Sequence, residues 1–309
     1  MKNHKLSFLI AAHNEEKIIE KPLLNLLNLP YENYEVIIGL DGCTDNTENI
    51  VKKFCEKSKK FRYFKLNLRQ GKTAVINKMI KYAKGDIIII HDADWIFQVK
   101  SRQKLIEFLK VFDDPKIGGI SETFPVEWTS EGFKNTNMGY KMVKYSTKFW
   151  YDFQKKKFTY KKGKFLYLKE PTMFLTNIFR KKLFKKNFSL GDDIERTKNI
   201  MDRGYEVILL DDINMPRMVA VYDKIYLKDL FKQKIRTAIA RDQIKNKCKL
   251  TLTGYYFPSV WFIFKKGWNN GLKVGVIVTL WIFLTTTATF YAKFKKLNTK
   301  EGWKLRIRR

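Results

Sequence analysis

From residue 6 to residue 121, short apolar runs alternate with amphipathic stretches, the order expected of strands joined by crossover helices in a mostly parallel sheet. Residues 6–11, 35–40, 62–66, 87–91 and 117–121 read as strands, and apolar residues recur at helical spacing over 16–27, 44–57, 73–83 and 101–112. Thr44, with Thr47 and Glu48 close behind, marks the start of the second helix, and Gly85 suits the C′ position of the third. The predicted class is α/β with a doubly wound sheet. In such sheets ligands collect outside the carboxyl ends of the strands, so the residues that follow each strand are the ones to read for chemistry.

After about residue 124 the regularity gives way to an aromatic and lysine-rich region, 128–188. Its KKKFTYKKGK run reads by default as solvated surface. Periodicity returns with a helix over 193–203 and a strand over 205–210. Leu227, Leu230, Phe231, Ile235, Ala238 and Ile239 then share a helical stripe, with Lys228, Lys232, Arg236, Arg241 and Lys245 largely off it. That is a basic amphipathic helix suited to a membrane interface. Residues 274–292 are uncharged, close to the roughly 20 residues that span a bilayer core. A buried helix of a soluble core is the other reading of such a segment.

A single crossing there would export the tail 293–309, which carries eight Lys/Arg and one Glu, against the positive-inside rule. Residues 250–264, uncharged and containing Pro258, are therefore expected to form a short first span or re-entrant segment that returns the tail to the cytosolic side. The expected organisation is a catalytic domain over 1–224, an interfacial helix over 225–249 and membrane segments with a basic tail over 250–309. At the other end, the apolar run 6–12 is broken by His13, Asn14, Glu15 and Glu16, and it reads as a strand rather than a signal peptide.

Composition narrows the classes. The 309 residues hold 61 Lys+Arg against 31 Asp+Glu, a formal charge of +30, yet 45% are hydrophobic and 15% aromatic, too apolar for a disordered basic tail. Cys43, Cys55 and Cys248 form no C-x-x-C pair, and His4, His13 and His91 show no zinc-ligand spacing. The charge fits a protein held against an anionic leaflet, where each basic residue near the surface adds about 1 kcal/mol. A lysine-rich genome would give the same excess. Nucleic acid is not the expected partner, because an apolar segment and acidic strand ends oppose it.

In so basic a chain, clustered acids require a cation or a proton between them. Asp92 and Asp94 follow the apolar strand 87–90, and hard carboxylate oxygens beside a diphosphate make a natural Mg²⁺ or Mn²⁺ site. Asp192 and Asp193 follow Gly191 and open a helix, where they serve either as caps or as a general base. Asp211 and Asp212 read as a plain loop. Gly71, Lys72 and Thr73 imitate the end of a Walker motif, but Leu66 stands where its first glycine is required, and no G-x-G-x-x-G follows any strand.

The motifs A-A-H-N-E-E at residues 11–16, L-D-G-C-T-D-N-T at 40–47, Gly71 with Lys72, D-A-D at 92–94, G-D-D at 191–193 and Q-K-I-R at 233–236 occur in the order found in family 2 glycosyltransferases, which the chain resembles over about residues 6–240. The resemblance implies a glycosyltransferase A fold that binds a nucleotide sugar, usually UDP-linked, across the strand ends. It puts Ala12, His13 and Glu15 at the nucleotide, with His13 in place of the tyrosine that packs on the base. It also implies that Asp41 contacts the base, that Lys72 lies near the nucleotide, and that Asp94, with Asp92, holds the metal. Asp193 takes the position of the catalytic base and Asp192 that of the acid before it. Gln233 and Arg236 match Q-x-x-R-W, but Thr237 replaces the tryptophan, a departure from the processive members.

The expected activity is metal-dependent, inverting transfer to a lipid-linked or membrane-proximal glycan acceptor at the cytosolic membrane face. The alternatives are a polysaccharide-synthase subunit and a non-catalytic basic membrane scaffold.

Overall fold

The computed structural model describes residues 3–122, 126–127, 137–171, 174–186, 189–221, 225–244 and 251–295. Trp128, Lys245, Cys248, Leu250 and the tail from residue 296 lie outside the described residues. Twelve strands are described: β1 (Leu6–Ala12), β2 (Tyr34–Asp41), β3 (Phe61–Leu66), β4 (Ile87–Asp92), β5 (Trp95–Gln98), β6 (Ile117–Glu122), β7 (Val126–Glu127), β8 (Thr159–Lys162), β9 (Phe165–Leu168), β10 (Leu175–Arg180), β11 (Glu206–Leu210) and β12 (Arg217–Val221). The α-helices are α1 (Glu20–Leu27), α2 (Thr47–Lys57), α3 (Lys72–Met79), α4 (Arg102–Leu109), α5 (Met138–Phe158), α6 (Asp192–Met201), α7 (Leu227–Ile244), α8 (Phe257–Asn269) and α9 (Leu272–Ala292).

Nine strands form one sheet in the order β3-β2-β1-β4-β10-β6-β11-β9-β8, and β5-β12-β7 form a small second sheet. The strands β3, β2, β1 and β4 are mutually parallel, as are β6 and β11. β10 runs antiparallel between β4 and β6. All seven residues of β1 are buried, because a central parallel strand is covered on both faces and so needs a continuous apolar run. Its alternating side chains supply two cores. Leu6, Phe8 and Ile10 pack with Leu23, Leu26, Val51, Phe54, Leu105 and Phe108 from α1, α2 and α4, while Leu9 packs with Val75, Ile76, Met79 and Ile200 from α3 and α6. A slip of one residue would exchange the two sets, so the register is fixed by burial. Each fully buried side chain of this size contributes about 1.5–3 kcal/mol.

The chain departs from the sequence expectations at Gly85 and over 128–188. Gly85 does not cap α3, which ends at Met79. It lies where an added Cβ would come within 2.6 Å of Ser7 Oγ, and its N–H donates to that oxygen at 2.8 Å. The region expected to be irregular holds the 21-residue helix α5, the β8–β9 hairpin and β10. Met142, Val143, Ser146, Phe149 and Phe153 are buried at helical spacing on α5, but Tyr140 and Tyr151 on the opposite face are buried too and hide the period. Asn137 caps this helix, its side chain accepting from Tyr140 N at 3.0 Å. The lysines at 156–157 and 161–164 are exposed, as their composition suggested.

The remaining helices pack beside this sheet. The apolar stripe of α7 is covered by another helix: Ile235 and Ile239 pack with Ala288 and Ala292 of α9. α8 and α9 form a hairpin that turns at Gly271, whose φ of +102° suits glycine. Close approach at the hairpin requires small residues, since a Cβ on Gly275 would come within 2.6 Å of the Trp268 ring and one on Gly267 within 2.9 Å of Val278. Among the described residues α9 alone is long and apolar enough to cross a bilayer, with mean hydropathy 1.7, and only 22% of its apolar window is buried. That exposure separates it from the core helix of a soluble domain. A π-helical turn, Leu252–Tyr256, runs directly into α8, so from residue 252 the segment expected over 250–264 is helical, and α8 packs against α9 through Gly267 and Val278.

Candidate active site

The parallel register aligns Ala11 of β1 with Gly39 of β2 and with Asp92 of β4, so the loops that follow these strands open at one edge of the sheet. The first two loops are knitted together. Asn14, at φ +54°, accepts from Thr44 N at 2.8 Å through its side chain, and Asn tolerates that left-handed conformation. Glu15 N donates to Thr47 Oγ1 at 2.8 Å and Glu16 N to Asp45 at 3.1 Å, while Asn46 N donates to Glu16 at 3.0 Å. Helix α2 accordingly begins at Thr47 rather than Thr44, with Asp45 accepting from the Thr47 hydroxyl at 2.5 Å and from its N–H at 3.1 Å.

His13 and Asp41 are drawn into the same scaffold. His13 Nδ1 lies 2.7 Å from Asp41 O. The Asp41 carboxylate is fully buried, accepting from Gln70 N at 2.6 Å and Gly71 N at 2.7 Å. Any contact from Asp41 to a base would therefore compete with these two bonds, whose present effect is to hold the turn into α3. That turn aims Lys72, the first residue of α3, at Asp92 (Nζ to Oδ1, 2.5 Å). Burial alone would lower the Lys72 pKa, but the charges of Asp92 and Asp192 outweigh it and raise it. Likewise burial would raise that of Asp92, and Lys72 holds it below the usual carboxylate range.

β10 brings its amino end to the same edge, because Leu175 pairs with Glu122 at the carboxyl end of β6. Arg196, 2% exposed, ties α6 to it: its guanidinium donates to Thr176 O at 2.7 Å, to Asn177 Oδ1 at 3.0 Å and to Asp192 Oδ2 at 2.5 Å. Behind it the hydroxyl of Thr176 bonds those of Ser121 and Thr197. Asp192 is thus engaged by Arg196. Burial, and then the negative charge of Asp192, push the pKa of Asp193 up to about 6. Two adjacent acids thus sit in different environments, Asp192 paired with Arg196 and Asp193 poised near neutral pH.

A cleft of about 330 Å³ gathers these groups. Its sheet side is lined by Glu15, Lys72, Asp92, Asp94, Asp192 and Asp193, and Gln233 and Arg236 of α7 close over it. Carboxylates about a hundred residues apart in the chain therefore share one cavity. Ala12, His13 and Asp41 are not part of its lining. Further residues of the lining were not matched positions of any sequence motif: Lys234, which lies within Q-K-I-R, and Arg241 of α7, Trp150 of α5, and Trp281, Thr285 and Thr289 of α9. Arg196 did carry one, standing four residues after Asp192 on the same helix face.

The carboxylates suit a hard divalent ion. Among the described residues no group of three or more His, Cys, Asp or Glu is placed to hold a metal, but Mg²⁺ or Mn²⁺ needs only one or two carboxylates when a substrate diphosphate completes its shell. Asp94 with Asp92 at the cleft meets that requirement.

In an open α/β sheet of this kind ligands bind outside the carboxyl ends of the strands, which is where these acids gather. Residues 7–188 match the model of Glycosyl transferase family 2, more than half of the chain, and the protein belongs to that family. Its fold is of the glycosyltransferase A type. It is similar to a mannosyltransferase, PcManGT from Pyrobaculum calidifontis, solved with GDP-Man and Mn²⁺, with a TM-score of 0.61 and 19% identity over 96% of this chain and 87% of that one. The poly-beta-1,6-N-acetyl-D-glucosamine synthase of Staphylococcus aureus (strain COL) is 37% identical over 116 residues, 38% of this chain. The synthase of that name from Staphylococcus epidermidis is 33% identical over the same length. The match spans 27% of the length of these relatives.

Proposed function

We propose that the protein transfers a sugar, with inversion, from a UDP-linked donor to a lipid-linked or membrane-proximal glycan acceptor at the cytosolic face of a membrane. The observation that carries this reading is the shared cleft of Asp94 and Asp193. Asp193, as carboxylate, takes the proton of the acceptor hydroxyl as that oxygen bonds to the anomeric carbon. The bond from that carbon to the diphosphate breaks on the opposite face, and the nucleoside diphosphate leaves with the electron pair. A positioned base of this kind is worth about 10²- to 10⁴-fold. Lys72 and Arg236 sit in the cleft where negative charge grows on the leaving group. Mg²⁺ or Mn²⁺ on Asp94 and Asp92, when bound, would supply further positive charge to the diphosphate.

Residues 1–224 act as the catalytic domain in this reading, 225–249 as the helix that joins it to the membrane surface, and 250–309 as the membrane segments with their tail. The apolar length of α9 and its exposed face support a membrane location. The names of the staphylococcal relatives favour a second reading, in which the chain elongates a polysaccharide as part of a synthase. Thr237, in place of the tryptophan of processive members, weighs for single transfer. A screen of nucleotide sugars with each divalent ion, read as released diphosphate and as product length, tests both. One added sugar supports the first reading and a ladder the second. No release with any donor would leave the protein a non-catalytic scaffold.

A further inference from the structure

The two walls of the cleft balance their charges differently. On the sheet side each cation meets an acid, Lys72 with Asp92 and Arg196 with Asp192, both at 2.5 Å. On the helical side, among the described residues, Lys234 makes no ion pair, and its ammonium lies 4.8 Å from the ring centre of Trp281. Burial, and then the charge of Arg241, lower its pKa to about 7. Arg241 stands over the rings of Trp150 at 5.6 Å and Tyr256 at 5.8 Å. Arg241 Nε, Trp281 Nε1 and Thr285 Oγ1 are shut off from solvent without a hydrogen-bond partner. Buried donors are satisfied nearly everywhere in folded proteins, and two cations facing one cleft repel until an anion joins them.

We infer that this end of the cleft binds a phosphate group that the acceptor carries on an apolar chain, with Lys234 and Arg241 as its cations and the Trp281 indole N–H among its donors. The inference rests on the glycosyl-transfer reading above and names the acceptor's class. A phosphate offers several acceptor oxygens and up to two negative charges, matching two cations and neutral donors in one place. The apolar chain follows from the wall itself. Trp281, Thr285 and Thr289 of α9 line the cleft, while Leu280, Phe283 and Phe290 of the same helix are exposed. A ligand held by its phosphate on the inner side has apolar helix surface beside it for its chain.

The full chain in lipid nanodiscs tests this by calorimetric titration with dodecyl phosphate, dodecanol and inorganic phosphate, and with UDP plus Mn²⁺ in parallel. Dodecyl phosphate should bind at least about tenfold more tightly than either dodecanol or inorganic phosphate, and Lys234→Ala should weaken it by at least about tenfold, as should Arg241→Ala. Lys234→Arg should restore binding and Lys234→Met should not, which separates charge from packing. Inorganic phosphate binding as tightly as dodecyl phosphate would overturn the lipid source. Dodecyl phosphate binding unchanged in Lys234→Ala and Arg241→Ala would overturn the site. A matching loss of UDP affinity in Lys234→Ala would assign these cations to the donor, again overturning it. Absence of UDP binding by the wild type would instead overturn the underlying nucleotide-sugar reading.

Discussion

The sheet half of the molecule and the helical half meet at one cleft but are built on different principles. In the sheet half, residues 6–122 with β10 and α6, backbone register places the acids and buried counter-charges hold them, so its site groups are positioned before any ligand arrives. In the helical half, α5, α7, α8 and α9 pack by apolar stripes and glycine contacts, and Arg241 Nε, Trp281 Nε1 and Thr285 Oγ1 are buried there without a hydrogen-bond partner. In the proposed reading the sheet half holds the donor and the helical half receives the second substrate.

The largest expected effect isolates the base. Asp193→Asn should lower sugar transfer by about 10²- to 10⁴-fold, measured as released diphosphate with the acceptor present. Folding should be retained in a thermal scan, since the substitution removes a carboxylate that burial already disfavours. Equal activity would move the base elsewhere in the cleft.

Next in size is the anchor of the sheet half. Arg196→Ala leaves Asp192, the Thr176 carbonyl and Asn177 without their shared partner and should cost about 3–5 kcal/mol of stability in denaturant unfolding. Arg196→Lys should recover only part of this, because one ammonium cannot reproduce the guanidinium fork. A loss below about 1 kcal/mol would show that the network is not structural.

The pH profile sharpens the same contrast. Folding raises the Asp193 pKa from 3.8 to about 6, so the proton-accepting form dominates only above that pH. The rate should therefore rise about tenfold per unit up to pH 6 and level off above it. The stability contribution has the opposite sign: the folded state favours the protonated form, so this group's contribution is present at low pH and is lost as pH rises through about 6. A rate flat from pH 4.5 to 8 would contradict the assignment.

The smallest effect tests the helical half. Gly275→Ala pushes a methyl against the Trp268 ring and should destabilise the α8–α9 hairpin by about 1–3 kcal/mol, read by thermal unfolding in nanodiscs. UDP binding at the sheet half should change less than twofold. A parallel loss of UDP affinity would show the two halves to be coupled.

The difference between the halves also explains what could be read from the chain. Strands such as β1 and β4 are buried on both faces, so their apolar runs announce them, and the acids at the end of β4 and the start of α6 stood out by position, while their roles were implied by the motif resemblance. Asp41 was legible as a strand-end residue, but its bonds to Gln70 and Gly71 depend on a loop 29 and 30 residues away. α5 was missed because aromatic residues occur around its whole circumference. β10 was missed because a strand's direction and neighbours depend on pairing rather than on its own residues. Lys234 and Trp281 were invisible as site residues, since nothing local records which face of a helix another element leaves open.

One titration tests the central claim, that one carboxylate holds the ion and another moves the proton in the same cleft. UDP is titrated into wild type, Asp94→Ala and Asp193→Asn with and without Mn²⁺, with donor turnover measured on the same samples. The account predicts Mn²⁺-dependent UDP binding in wild type and in Asp193→Asn, loss of that Mn²⁺ dependence in Asp94→Ala, and turnover in wild type alone. Turnover by Asp193→Asn at the wild-type rate, or Mn²⁺-dependent UDP binding unchanged in Asp94→Ala, would contradict it.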